Sequence, residues 1–301
     1  MDWAKARAVL LIAFTVVNLM LAYFIWGPSA VLPGVSEASP QQVVDQVRAT
    51  LAERSITLPT TVTVPRTPGP MRFLHVEYHP TPRFTQWPAE LSDGNGAPVG
   101  TSGPRGAEGV QALKPTIDKE TQAIVYQPAA SGPAARDVKL DNPHQVQQVT
   151  DDYLRQEALL PAGAVFSDML PQGDTGRLTV EYVPMFDGYP VFSGYVRADV
   201  SARGIETVRQ LWVQPGAYTE APPKAVRPAP EALLRLAGRL QNSGSKRLVI
   251  REIKLGYYAN RSLTVTQADG VNGWDTVPVW RISLDTGEVY YINAFNGEWE
   301  S

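Results

Sequence analysis

An uninterrupted apolar segment begins a few residues into the chain. From Ala8 to Trp26 no residue is charged, and Asn18 is the only strongly polar side chain. A helix of this length is roughly 28 Å long at about 1.5 Å per residue, which is enough to cross the hydrocarbon core of a bilayer. The pattern predicts a transmembrane helix over residues 8–27, after a tail of residues 1–7.

The charges around this segment predict its orientation. Lys5 and Arg7 precede it directly, and no basic residue follows until Arg48. The positive-inside rule then places the tail in the cytoplasm and residues 28–301 outside. The sequence therefore predicts a single-pass protein of the cell membrane, whose N-terminal helix contacts the lipid bilayer. A cleaved signal peptide is the alternative, but its apolar region is usually shorter, and Pro28 in Pro28-Ser29-Ala30 makes a poor cleavage site.

One face of the predicted helix carries polar and small side chains at spacings of four and three. These residues are Leu11, Thr15, Asn18, Ala22 and Ile25. Membrane helices use polar and small residues to approach one another, although each interhelical hydrogen bond averages only about 0.6 kcal/mol. Two explanations of this polar stripe have about equal weight. Either the stripe contacts another membrane protein, or the Asn18 side-chain amide is hydrogen-bonded to the backbone of its own helix.

The rest of the chain shows helical and alternating patterns that predict an α+β fold, with mainly antiparallel sheets packed against helices. Ser39-Pro40 and Asn142-Pro143 are typical helix starts, and Asp187-Gly188 is typical of a tight hairpin. Helices are predicted at 39–53, from 142 to before Pro161, and at 231–240. Strands are predicted at 61–65, 71–79, 123–126, 178–185, 191–200, 207–213, 248–257, 277–283 and 289–293.

Composition shifts along the chain suggest its organisation. Residues 88–135 are dominated by Gly, Pro, Ala and Ser, which predicts a flexible or loosely packed insertion within an N-terminal region of residues 28–141. In the C-terminal region, 142–301, the order helix, strand, hairpin occurs twice. Two related α+β units, 142–221 and 222–301, would explain that repetition.

Charge and cysteine content remove several function classes. The formal net charge is -3 and there is no long basic run, so nucleic acid is not an expected partner. The absence of cysteine excludes disulfides, thiolate metal sites and cysteine nucleophiles.

Candidate chemistry is sparse. His75 and His79 lie on one side of a predicted strand with Glu77 between them, but a metal site needs three or four ligands with supporting contacts, so surface histidines are expected. Phe192-Ser193-Gly194 lacks the preceding glycine of a nucleophile elbow, and no carboxylate pair sits in an apolar context suited to acid–base work. The sequence predicts neither an enzyme nor a bound metal or other cofactor, because a hydrolase would need convergent titratable groups.

Aromatic residues at the hairpin and near the C-terminus are candidates for a partner surface. Core packing explains most of them, while aromatics are also enriched at binding hot spots. The candidates are Tyr189, Trp280, Tyr290 and Phe295.

Three separated signatures stand out along the chain. The first is Met1-Asp2-Trp3-Ala4-Lys5, running into the apolar helix, and the second is the turn Asp187-Gly188-Tyr189-Pro190-Val191-Phe192. The third is the closing series Leu255-Gly256-Tyr257-Tyr258, Pro278-Val279-Trp280-Arg281 and Tyr290-Tyr291-Ile292-Asn293-Ala294-Phe295-Asn296-Gly297-Glu298. Together and in this order they resemble the YycI family, and the resemblance covers roughly residues 1–80 and 142–301.

The resemblance implies an accessory protein of the WalK–WalR two-component system of Gram-positive bacteria. Family members pair with YycH and contact the sensor histidine kinase WalK through transmembrane helices and extracytoplasmic domains, which tunes kinase activity in cell-wall control. The resemblance implies no enzymatic activity and leaves the sign of the effect open. The closing segment also resembles PepSY-type modules, so an alternative function is binding or inhibiting an extracytoplasmic protease.

Overall fold

The computed structural model describes part of the chain. The described residues are Phe14, Thr15, Asn18, 39–79, 114–118, 121, 123–128, 137–240, 247–259 and 273–300. By their internal contacts the residues divide into Met1–Val43 and Val44–Ser301.

Within the described residues, no helix is long and apolar enough to cross a membrane. The predicted transmembrane segment 8–27 lies outside the described residues except for Phe14, Thr15 and Asn18, which are helical. The transmembrane helix therefore stays a prediction, as does the insertion at 88–135, most of which is also outside the described residues.

Three helices are described: α1 (Pro40–Glu53), α2 (Pro143–Gln156) and α3 (Ala229–Leu240). The predicted starts of α1 and α2 are confirmed by capping contacts. The Ser39 N–H donates to Gln42 Oε1 at 2.7 Å, and the Gln42 N–H donates to Ser39 Oγ at 3.3 Å. At α2, the Gln145 N–H donates to Asn142 Oδ1 at 3.2 Å. Each capping side chain satisfies an N–H group that the helix leaves without an internal partner.

The strands form two sheets. The first contains β1 (Ile56–Thr57), β2 (Leu74–Tyr78), β10 (Val213–Tyr218), β11 (Leu248–Tyr258), β12 (Gly273–Leu284) and β13 (Val289–Asn293). Its order is β1-β11-β12-β2-β10, with β13 also beside β12, and only the β1–β11 pair is parallel among the described pairs.

The second sheet is wholly antiparallel in the described part of the chain. Its strands are β3 (Lys114–Ile117), β4 (Ile124–Gln127), β5 (Ala164–Pro171), β6 (Leu178–Phe186), β7 (Tyr189–Pro190), β8 (Tyr195–Ser201) and β9 (Gly204–Leu211). The order is β3-β4-β9-β8-β6-β5, with β7 beside β6. The predicted α+β class with mainly antiparallel sheets is confirmed.

Alternation along the strands explains the layers. In β12, Trp280 and Ile282 join the core that contains the buried residues of α1 and α3, whereas Arg281 between them contacts the second sheet. In β6, Tyr182 joins the core that contains α2, whereas Glu181 contacts the first sheet. Because successive side chains point to opposite faces, each sheet turns one face to its helices and the other to its partner sheet.

The connectivity is nested. The second sheet takes its strands from residues 114–211, and the first sheet takes its strands from residues 56–78 and 213–293 on either side. The second sheet therefore includes strands from both sides of the predicted boundary at residue 142.

The strand predicted at 61–65 is wrong, since these described residues form no strand. Two further predicted strands are wrong in extent because the chain changes sheets within them. The segment predicted at 191–200 starts β8 only at Tyr195, since the Phe192 N–H donates to Tyr257 O of the first sheet at 2.8 Å. The segment predicted at 207–213 divides at the buried Trp212 into the end of β9 and the start of β10. Both crossings are apolar and buried, so the hydrophobic pattern runs through them unbroken.

Candidate protein-binding groove

A groove of about 430 Å³ lies where the edges of the two sheets meet. Its walls come from β5, from the β6–β7 hairpin, from β11 and from the segment 65–68. The predicted hairpin turn is confirmed: Asp187 and Gly188 have φ values of 50° and 80° and connect the paired strands β6 and β7. Positive φ at both positions is the geometry that a two-residue hairpin favours.

The groove concentrates exposed apolar side chains. Val165 is 46% exposed and Met185 38%, and these are two of the six exposed large hydrophobic residues in the described part of the chain. Phe166 also lines the groove, but its ring packs against Tyr182 on the face that carries α2. Single exposed apolar residues are normal on a protein surface, but a contiguous patch marks an interaction site. Tyr189, one of the predicted partner-surface residues, also lines this groove.

Charged side chains cover the edge of β5, which is the last strand of its sheet. Lys254 Nζ donates to Ser167 O at 2.6 Å, and Arg251 Nη1 donates to Met169 O at 2.9 Å. An exposed strand edge invites pairing with another chain, and charged groups on the edge prevent it. These two contacts also join β11 of the first sheet to β5 of the second.

A buried ionic network lies beside the groove, between the sheets. Arg281 Nη2 donates to Glu181 Oε2 at 2.8 Å, and each of the two side chains is 1% exposed. Arg281 Nη1 also lies 3.1 Å from Asp168 Oδ2, and Arg197 Nη2 lies 2.8 Å from Glu181 Oε1. Because Asp168, Glu181 and Arg197 are register partners on adjacent strands, one row of the second sheet faces Arg281 of the first.

Glu181 is held in its ionised form by its arginine neighbours, which suits a structural role. Burial alone would raise its pKa, but the guanidinium groups of Arg281 and Arg197 outweigh burial and hold the pKa below its ordinary value of 4.5. A group that stays ionised at neutral pH in an ion pair does not serve as a proton donor. The network could not be predicted from local patterns, because Asp168 and Arg281 are 113 positions apart in the chain.

The structure corrects the prediction for Trp280. Its side chain is fully buried, and the indole Nε1–H donates to Arg227 O at 2.8 Å, so it is a core residue without an accessible face. Buried tryptophans usually find such a partner for the N–H.

The other three aromatic candidates pack against different neighbours. Tyr189 forms an edge-to-face contact with Tyr257, with ring centroids 6.3 Å apart. Tyr290 lies 5.8 Å from Trp299, and Phe295 lies 5.3 Å from Phe73. All three are partly buried, and Tyr189 alone among them lines the groove.

The polar stripe of the N-terminal segment is described at two positions. Asn18 Nδ2 donates to Phe14 O at 3.0 Å, which is the intrahelical bond considered as one of the two explanations for this residue. Thr15 is helical and exposed. Leu11, Ala22 and Ile25 lie outside the described residues.

The histidines of β2 and its end are placed on the first sheet. His75 Nδ1 lies 2.8 Å from Asp275 Oδ1 on β12, and the His79 backbone N–H donates to Trp212 O at 3.0 Å. Among the described residues, no three metal-binding side chains come together.

Comparison with known protein families matches residues 36–295 to the YycI protein family. The chain belongs to the YycI family. YycI proteins are regulatory accessory proteins. The match includes the Asp187–Phe192 turn and most of the closing signature, whereas Met1–Lys5 lies outside it. The PepSY-type resemblance is not confirmed by this match and stays a prediction.

Comparison with individual proteins adds less. No curated protein matches the chain. Among solved structures, an uncharacterized protein from Eubacterium rectale is similar, with a TM-score of 0.45 and 10% sequence identity. The alignment covers 86% of this chain and 98% of that one.

Proposed function

We propose that this protein is a membrane-anchored extracytoplasmic regulator, which binds a WalK-like sensor histidine kinase together with a YycH-like protein and modulates two-component signalling in cell-wall homeostasis. The observation that carries this proposal is the YycI family match over residues 36–295. YycI membership implies involvement with the WalK and YycH signalling complex.

Two features of the structure support a binding role. The exposed apolar side chains of Val165 and Met185 share one groove instead of being scattered. The ion pair of Arg281 and Glu181 ties together the two sheets whose edges form that groove. A binding surface on connected strands keeps its shape better than one on loops.

The proposed mechanism is a shift in the kinase equilibrium. The anchor helix lies beside the transmembrane helices of the kinase, and the outer part binds the YycH-like protein and the kinase sensor domain. Regulation requires that these contacts differ between the two kinase states, and a coupling of about 1–3 kcal/mol changes the state ratio by about 5–150-fold.

The test is co-purification of the full tagged chain from cross-linked native membranes. We expect the kinase and a YycH-like protein to be recovered, and a reporter of the cognate response regulator to change when the gene is removed. Recovery of a protease without a kinase would contradict the proposal. The matched control replaces residues 8–27 with an unrelated transmembrane helix, which separates contacts of the anchor from contacts of the outer part.

A further inference from the structure

The strand β11 has an open edge at the groove. On the side away from β12, β1 pairs only with Leu248 and Val249, and the next described partner is Val191, which bridges to Tyr257. No described strand pairs with this edge at residues 250–255, and Pro190 of β7 packs closely against Gly256 at its end. At about 3.3 Å per residue, this unpaired stretch matches the length of an extended segment of about six residues.

The backbone of β11 presents hydrogen-bonding groups to this opening. Tyr257 O accepts from the Phe192 N–H on the edge away from β12. Backbone groups alternate in direction along a strand, so Leu255 and Ile253, which are two and four residues earlier, direct their N–H and C=O groups to the same edge. The side chains of Ile253 and Leu255 are buried in the core of the first sheet. These two residues therefore line the groove with their backbone groups.

The opposite wall of the groove is apolar. Val165 and Met185 line it and are exposed to solvent. An extended segment paired with β11 places every second side chain on one face, where apolar groups would cover this wall.

The charge of the lining selects the occupant. Arg66 and Lys254 line the groove, and no carboxylate is among its described lining residues. Arg66 is exposed, while Lys254 Nζ lies 2.8 Å from Glu252 Oε1 beside the groove. An occupant with a carboxylate side chain complements this surface, whereas a basic one is repelled.

We propose that the groove binds an extended segment of a partner protein, with alternating apolar residues and at least one acidic residue, which adds a strand to the edge of β11. The inference rests on the proposed protein-binding function and specifies the binding mode of the partner. Main-chain hydrogen bonds to Ile253 and Leu255 supply affinity, while the apolar wall and Arg66 supply selectivity.

Amide hydrogen exchange tests the pairing directly. The probe is a blocked six-residue peptide that alternates valine and threonine and carries one terminal glutamate, added to the full chain in detergent. We expect the Ile253 and Leu255 amides to exchange more slowly with the peptide bound. Binding without protection at these two amides would overturn the proposal, because contact through side chains alone leaves that edge exposed.

Charge reversal tests the selectivity. Arg66→Glu should weaken binding of the glutamate peptide by about tenfold and strengthen binding of its lysine counterpart, because like charges in contact are unfavourable. Equal binding of both peptides to both proteins would overturn the charge assignment.

Two matched substitutions separate the groove from the regulator role. Met185→Glu places a charge in the groove, and Leu234→Glu places the same charge at a similarly exposed position, 40%, on α3. Peptide binding should be lost only with Met185→Glu. If Met185→Glu binds the peptide as well as the wild type does, the peptide proposal fails. Kinase recovery from membranes decides the regulator proposal independently.

Discussion

Arg281 and Glu181 are 100 positions apart in the chain, yet their side chains meet at 2.8 Å with only 1% of each exposed to solvent. Each residue lies on an interior strand of a different sheet, β12 for Arg281 and β6 for Glu181. Burying either charge alone costs several kcal/mol, so each residue makes the burial of the other tolerable. The pair connects the two sheets at a position that local sequence patterns do not reveal.

Removal of Glu181 should therefore destabilise the protein. We expect Glu181→Leu to lower the free energy of unfolding by about 3 kcal/mol, because Arg281 keeps its charge and loses its best-buried partner. Urea denaturation measures the change. The control is Glu206→Leu, whose ion pair with Arg177 is partly exposed and should contribute no more than about 1 kcal/mol.

The double variant Glu181→Leu with Arg281→Met should recover much of that loss. Replacement of a whole buried ion pair by apolar groups of similar size is often neutral, whereas loss of one partner leaves a buried charge. A double variant as unstable as the sum of the two single variants would show that the side chains do not act as a pair.

Acidification should remove the contribution of Glu181. Its pKa is lowered in the folded state, so its stabilisation is complete above the ordinary value of 4.5 and is lost as the pH falls through the lower folded pKa. We expect the difference in unfolding free energy between the wild type and Glu181→Gln to shrink over this range in a pH series of urea titrations. A difference that grows on acidification would have the wrong sign.

Gly256 should not tolerate a side chain. A Cβ added there would lie 2.4 Å from Pro190 O and 2.5 Å from a ring carbon of Phe192, where the chain crosses between the sheets. We expect Gly256→Ala to destabilise the protein by about 2 kcal/mol, because overpacking forces a backbone shift. Gly69→Ala is the control, since nothing lies within 4 Å of its added Cβ. Equal melting temperatures of the two variants would contradict the close packing of β11 on β7.

Substitutions of Trp280 and Tyr189 should have different effects: the first should lower stability, and the second should lower partner binding. Trp280→Phe removes the 2.8 Å hydrogen bond to Arg227 O and part of a fully buried side chain, so we expect a loss of about 2 kcal/mol in unfolding free energy with normal partner recovery below the melting temperature. Tyr189→Ala should reduce partner recovery more than stability, because Tyr189 lines the groove. If Trp280→Phe reduced partner recovery and Tyr189→Ala reduced only stability, the partner surface would not lie at the groove.

Asn18→Leu should weaken coupling to the kinase if the polar stripe contacts it. The Asn18 side-chain amide donates to Phe14 O, and its carbonyl oxygen remains an acceptor that a neighbouring helix could use. We expect less kinase in cross-linked membrane preparations and a smaller reporter response. Met20→Leu is the control, because helical spacing predicts that Met20 is on the face opposite the stripe. Unchanged recovery and reporter output in Asn18→Leu would count against the stripe.

Local signals predicted the parts of the structure that depend on local chemistry. Ser39 and Asn142 cap their helices, and Asp187-Gly188 forms the hairpin, because each of these features involves residues only a few positions apart. The strands β1, β3, β5 and β7 are outside the predicted strands, and the strand predicted at 61–65 does not form. The prediction also merges the end of β9 with the start of β10 through Trp212. Alternation reports burial, and it does not tell which sheet buries a residue.

The groove could not be predicted from the sequence, because hydrophobic alternation does not show which sheet a residue belongs to. Phe166 and Ile253 line it from strands of different sheets, and no spacing in the sequence connects them. Tyr189 is the one predicted partner-surface residue that lines it.

The nested order of strands has a consequence for synthesis of the chain. Residues 114–211 contain every described strand of the second sheet, so that sheet can pair soon after it leaves the ribosome or translocon. In the first sheet, β2 waits more than a hundred residues for its first partner, β10, and β1 waits still longer for β11, and such distant pairings form slowly. A product that stops short of Leu248 would therefore carry a complete second sheet, a β1 strand without its partner, and a β2 strand that is paired only with β10 and exposes its other edge.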